Sequence, residues 1–230
     1  MGERHVRTRL LIGDQGLARL RAAYVAVIGL GGVGGYALEA LARAGVGRLL
    51  LVDPDTIAVS NLNRQVLALD NTVGALKVDV ARERVGQIDP DIQVDTIAEF
   101  LSADNVEAML PPDLGYAVDA IDSVGAKVHL IETLHRRGVR FVSCMGVGNK
   151  LAPTGIEVAD ISETKSCPLA RAVRRELRKC GIETGVRCVY SCENVATSSN
   201  GAGVPGTIAH VPGIAGLTAA GVILNDILSS

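Results

Sequence analysis

At 230 residues, 48% of them hydrophobic, the chain suits one large α/β domain with a sizeable core. A formal net charge of -2 excludes a globally basic nucleic-acid coat, so any such contact must be a local patch. Only 3% of residues are aromatic and none is Trp, which argues against a sandwich of aromatic pairs and against base stacking as the main grip on nucleic acid.

In chain order, residues 1–22 place polar and basic positions around Leu10, Leu11, Ile12, Leu17 and Leu20. This predicts one or two short helices, with Gly13 and Gly16 marking a turn. The N-terminus carries no apolar signal region. Residues 24–28 form an apolar run entering glycine, as a buried parallel strand should. A helix over 33–44 stops at Gly45 and Gly47, and a second strand covers 49–52. This strand–helix–strand order predicts a right-handed crossover and a parallel sheet. Further on, the patterning predicts a helix at 75–87, a strand at 92–97, a short helix at 102–110 and a strand at 116–121. A helix at 124–137 and a strand at 139–143 follow. Short strands are expected at 155–159 and 186–190, and a basic helix at 167–179. A Ser/Asn/Gly/Pro loop covers 193–206 and an apolar helix covers 211–228. Asn225 and Asp226 interrupt that last segment, which favours a buried or dimer-interface helix over a membrane span. The fold expectation is a doubly wound, mostly parallel Rossmann-like sheet, read as a single domain over 1–230. Its nucleotide-binding part would cover about 22–150 and its substrate and dimer-contact part about 151–230. Ligands are expected at the strands' carboxyl ends.

Five cysteines, an odd number with no CxxC pair, point to free thiols in a reducing cytoplasm. Cys167 precedes Pro168 at the start of the basic helix and is a candidate thioester nucleophile. The plainer reading, a free thiol in a crossover loop, is preferred. Cys144 reads as core, and the four histidines show no metal spacing.

The chemistry concentrates at 24–65. Gly29-x-Gly31-x-x-Gly34 follows a strand and opens a helix, where backbone N–H groups can approach phosphate oxygens. Asp53, at the tip of the second strand, suits a ribose hydroxyl pair. Alone, these residues favour an NAD-binding redox protein. Asn61, Arg64 and Lys77 add an amide and two cations, which suit a reacting triphosphate better than an inert pyrophosphate. Asp122, at another strand end, can hold Mg²⁺ between phosphates or cap a helix. Arg171, Arg174, Arg175, Arg178 and Lys179 recur at helical spacing, a stripe able to neutralise nucleic-acid phosphates or simply a solvated face.

VIGLGGVG at 27–34, LLLVDPDTI at 50–57, SNLNRQ at 60–65, VGALK at 73–77 and DAIDS at 119–123 resemble the E1-like activating family. That family includes the molybdopterin- and thiamine-pathway adenylating proteins. Arg4-x-x-Arg7 before Leu10 resembles its opening motif. The resemblance implies an ATP-dependent enzyme with Mg²⁺ as cofactor. Gly32 would cradle phosphate and Asp53 the ribose, with Gly29, Gly31, Gly34, Asp55 and Gln65 also binding the nucleotide. Asn61, Arg64 and Lys77 would hold the triphosphate and Asp122 the metal, while Arg7 would act across a homodimer interface. The stretch from 142 to 177 and the segment 206–228 resemble the branch that cyclises threonylcarbamoyladenosine in tRNA. That branch implies tRNA as partner, a monovalent cation (Na⁺ or K⁺) and cysteine desulfurase-type sulfur-transfer partners, with no DNA and no structural zinc. The alternative within the family is an activator of a ubiquitin-like sulfur carrier.

Overall fold

The structure is a computed structural model and describes residues 3–194 and 205–230. Most of the 193–206 loop therefore lies outside the described residues. Helix α1 (Val6–Ala22) leads into β1 (Tyr24–Ile28), α2 (Gly34–Ala44) and β2 (Arg48–Val52). Then come α3 (Lys77–Ile88), β3 (Gln93–Ile97), the short α4 (Val106–Met109), β4 (Tyr116–Asp119), α5 (Val124–Arg137) and β5 (Arg140–Cys144). The chain continues with β6 (Ile156–Asp160), α6 (Pro168–Lys179), β7 (Arg187–Ser191) and α7 (His210–Leu228). The strands form one sheet in the order β3-β2-β1-β4-β5-β7-β6. Every pairing is parallel except β6 with β7 at the edge. Residues on both sides of position 150 thus share one sheet.

Three expectations change. The helix expected at 102–110 shortens to four residues. β4 ends at Asp119, because residues 120–122 bend over the glycine turn instead of continuing the ladder. The N-terminal turn sits at Gly13 alone (φ 72°, ψ 176°), whereas Gly16 lies buried inside the helix.

β1 is buried on both faces, as a central parallel strand must be. Its alternate residues enter different layers. Val25 and Val27 pack with Leu38 and Leu41 of α2 and with Val211, Ala219 and Ile223 of α7. Ala26 and Ile28 face Leu130, Ile131 and Leu134 of α5 and Leu177 of α6. Each such fully buried Leu or Ile contributes about 1.5–3 kcal/mol of transfer free energy. α7 is long and apolar enough to cross a membrane (mean hydropathy 1.6), but half of that stretch is buried. Its backbone approaches α2 so closely that a Cβ on Gly216 would lie 2.2 Å from Val33 O.

The N-terminal helix is tied down by a carboxylate. Asp89, fully buried, accepts from Arg21 (2.6 Å) and pairs with the ring of His5 (2.9 Å), itself buried. Burial pushes this carboxyl up, but hydrogen bonds from His5, the Asp91 N–H and Arg21 outweigh it and hold the group below the usual carboxylate range. His5, given no role from the sequence, is thus the buried foot of the segment that carries Arg7.

Candidate active site

A cleft of about 960 Å³ opens at the carboxyl ends of the central strands, where the strand order reverses between β1 and β4. The glycine turn forms its floor. Gly29 N–H donates to Val52 O (2.8 Å), and Gly29 takes φ +90°, a conformation that L side chains rarely adopt. A Cβ on Gly34 would lie 1.7 Å from Gly29 O, so the helix starts directly against the turn. The first turn of α2 has no side-chain cap; Gly31 O takes the Gly35 N–H (3.0 Å) and Val33 O the Ala37 N–H (3.1 Å), and the helix's positive end faces the cleft.

One wall comes from β2 and the loop after it. Asp53 is 4% exposed. Its Oδ2 accepts the Leu30 N–H (2.6 Å), and its Oδ1 accepts the Asp55 N–H (2.9 Å) and faces Lys77 Nζ (3.3 Å). Lys77, 5% exposed, also donates to Asp55 Oδ2 (2.7 Å). It reaches this place because α3 starts there, with Lys77 N–H bound to Asp55 O (3.0 Å) and Leu76 bridged to Thr56. Arg64 lies beside Gly32 and donates to Ser60 O (2.7 Å) and Asn63 Oδ1 (3.0 Å). Asn61 closes its own turn by accepting the Ala58 N–H (3.1 Å). Gln65 is buried under Gly31, and among the described residues its Oε1 has no hydrogen-bond partner, a polar atom placed for a ligand donor.

The opposite wall is the end of β4. Asp122 is exposed at the cleft, and among the described residues its carboxylate makes no hydrogen bond. The N-cap of α5 is Ser123, so the capping reading of Asp122 is set aside. Among the described residues no three His, Cys, Asp or Glu side chains group to hold a metal. A divalent ion at Asp122 would complete its shell with phosphate oxygens and water, as Mg²⁺ usually does.

Ten of the predicted residues therefore line one cleft: Gly29, Gly31, Gly32, Asp53, Asp55, Asn61, Arg64, Gln65, Lys77 and Asp122. Gly34 sits just beneath. Arg7 is not among them; it is exposed on α1. The arrangement offers backbone donors and two cations to a polyphosphate, with carboxylates at either end.

The ThiF family pattern matches residues 3–229. The chain belongs to the ThiF family. It is 39% identical to the Bacillus subtilis tRNA threonylcarbamoyladenosine dehydratase, covering 96% of this chain and 93% of that one. It is similar to the structure of the Escherichia coli tRNA N6-threonylcarbamoyladenosine dehydratase in complex with ATP, with TM-score 0.94 and 35% identity over 99% of this chain and 94% of that one. The same E. coli protein in complex with AMP matches with TM-score 0.95.

Beyond the cleft, this ThiF-family chain departs from its sequence reading at one arginine. Arg174 does not join the solvated basic stripe. Its guanidinium turns inward and donates to Ile161 O (2.8 Å), Thr164 O (3.1 Å) and Thr164 Oγ1 (2.8 Å), because the turn after β6 leaves those acceptors facing α6. Arg171, Arg175, Arg178 and Lys179 remain exposed, although Glu176 pairs with Arg175 (3.0 Å) and Lys179 (2.5 Å). Cys167, in turn, is 3% exposed and caps α6, its Sγ accepting the Ala170 N–H (3.5 Å). Cys144 lines the cleft, yet burial pushes its thiol up to about 12, so it stays protonated.

Sequence reading missed a fully buried group under the site. Lys127 Nζ donates to Asp119 Oδ2 (2.7 Å) and Cys144 O (3.0 Å), and Ser143 Oγ donates to the same Asp119 oxygen (2.6 Å). The group fixes β4 where residues 120–122 turn toward the ligand. It also missed the outer wall, residues 145–148 with Pro205, Thr207 and Pro212. Neither shows a spacing motif.

Proposed function

We propose that this chain is an ATP-dependent tRNA threonylcarbamoyladenosine dehydratase. The observation that carries the reading is the gathering of the glycine turn, Asp53, Asn61, Arg64, Lys77 and Asp122 in one cleft of a chain so similar to the B. subtilis and E. coli dehydratases. ATP lies with its ribose toward Asp53 and its phosphates over the glycine turn. Asp122 would hold Mg²⁺, which would supply positive charge to the leaving pyrophosphate. The substrate carboxylate attacks the α-phosphorus; a P–O bond forms, the α–β bond breaks and pyrophosphate leaves. Arg64 and Lys77 stabilise the charge that develops there. A nucleophile within the same modification then attacks the acyl carbon and displaces AMP, closing a ring with net loss of water. No enzyme thiol takes part, consistent with a buried Cys167.

The test is pyrophosphate release from ATP and Mg²⁺ with threonylcarbamoyl-modified tRNA, unmodified tRNA and a ubiquitin-like carrier. Release with modified tRNA alone is expected. Release with the carrier alone would keep the adenylation chemistry and overturn the substrate. NAD binding without any release would return the glycine turn to a redox protein.

Arg7 acts across a homodimer in this reading. It stands exposed on α1 next to Leu10 and Leu11, which are 79% and 85% exposed and suit burial against a second copy. Mixing Arg7→Ala with Lys77→Ala protomers should restore activity that neither variant has alone; no recovery in mixed dimers would place Arg7 in its own protomer's reaction or outside it. The exposed arginines of α6 hold tRNA phosphates, and the cytoplasm supplies both ATP and tRNA. The Arg171→Ala/Arg178→Ala double variant should bind tRNA more weakly at equal thermal stability. Its log Kd against log salt should flatten by about one unit per lost contact. An unchanged slope would make this face an ordinary solvated surface.

A further inference from the structure

Residues 205–207 border the cleft, where Pro205 and Thr207 form part of the wall. They belong to no helix or strand. Among the described residues, all their hydrogen bonds come from two asparagines. Asn149 N–H donates to Gly206 O (2.8 Å), and Gly206 N–H donates back to Asn149 Oδ1 (2.7 Å). Asn149 holds φ 57°, a left-handed conformation that asparagine tolerates better than most residues. On the other side, Asn63 Nδ2 donates to Thr207 O (3.0 Å). The same amide's Oδ1 accepts from Arg64 (3.0 Å). Neither asparagine lines the cleft.

We propose that Asn63 and Asn149 are positioning residues for the acyl substrate, holding 205–207 as the wall of the substrate end, and that Asn63 ties this wall to the phosphate-binding Arg64. The proposal rests on the adenylation reading above. It follows from geometry: the 60–65 loop and the loop after β5 both contribute to the cleft lining, and 205–207 are joined to them through Asn63 and Asn149. A substrate carboxylate must meet the α-phosphate at a fixed distance, and a wall bonded to Arg64 sets both positions together.

Three variants separate this role from a merely structural one. Asn63→Asp keeps the acceptor for Arg64 and loses the donor to Thr207 O. Asn149→Gly keeps the backbone conformation and loses Oδ1. Asn149→Asp keeps both. Pyrophosphate-release kinetics with modified tRNA would be measured beside ATP binding by calorimetry and the thermal midpoint. In Asn63→Asp and Asn149→Gly the KM for modified tRNA should rise about tenfold, the loss of one positioning hydrogen bond. The ATP Kd should stay within about twofold and the midpoint unchanged, while Asn149→Asp should behave as the unaltered protein. An unchanged tRNA KM in both loss variants, or an ATP Kd rising in step with it, would overturn the proposal. If the unaltered protein releases no pyrophosphate with modified tRNA, the adenylation reading itself fails, and that outcome is visible before any variant is made.

Discussion

Replacing Lys77 by alanine should lower kcat for pyrophosphate release by about 10²–10³-fold, the usual cost of deleting one preorganised group that meets developing charge. Lys77 is buried, anchored at the first residue of α3 and aimed between Asp53 and Asp55. Those carboxylates hold the ammonium in place, so it needs little rearrangement when a triphosphate arrives. The ATP Kd should therefore change less than kcat. Lys77→Arg tests geometry, because a planar fork cannot replace a compact ammonium between two carboxylates. Steady-state kinetics with a titrated ATP affinity separate the two quantities. A kcat within threefold of the unaltered protein would remove Lys77 from the chemistry and leave it a structural ion pair.

Lys127→Ala should have the largest effect on stability. Lys127, Asp119 and Ser143 are all fully buried, and the lysine is the only cation bonded to that carboxylate among the described residues. Removing it strands a charge in the core, at a cost of about 3–5 kcal/mol. For a domain of this size each kcal/mol lowers the melting temperature by about 2–4 °C, so calorimetry should find a drop of about 6–20 °C. The Asp119→Asn/Lys127→Met double variant should lose less than the sum of its single variants, since it leaves no uncompensated charge. A single variant melting within 2 °C of the parent would show that the pair contributes little.

The sequence made the floor of the site readable because its constraints are local. A residue with φ +90° at Gly29 and the close approach of Gly34 to Gly29 O demand glycine within six positions. Asp53 follows from its place at a strand tip. The side-chain pairings were not readable, because they depend on which loops lie next to each other. Lys77 meets Asp55 only because the segment at 56 bridges the one at 76. Arg174 had the spacing of its neighbours, yet the free carbonyls of the turn at 161–164 captured it. Lys127 lies within the helix expected at 124–137, and only the depth of β4 and β5 behind it makes it a core residue. Asn63 stood inside a recognised motif but next to its expected functional members. Its contact at Thr207 lies 144 positions away.

The close seating of α7 on α2 sets an order on biogenesis. α2 ends at residue 44, whereas α7 begins at residue 210, and the two share one apolar layer with β1. A ribosome will have emitted the glycine turn, Asp53 and Lys77 well before α7 exists. Until then Leu38, Leu41 and the facing side of the sheet remain uncovered, a surface that invites aggregation. Such long-range closure also slows folding. Nascent chains arrested before residue 210 should therefore engage holdase chaperones and remain sensitive to protease in the α2 region. Protection there should appear only once α7 has left the exit tunnel.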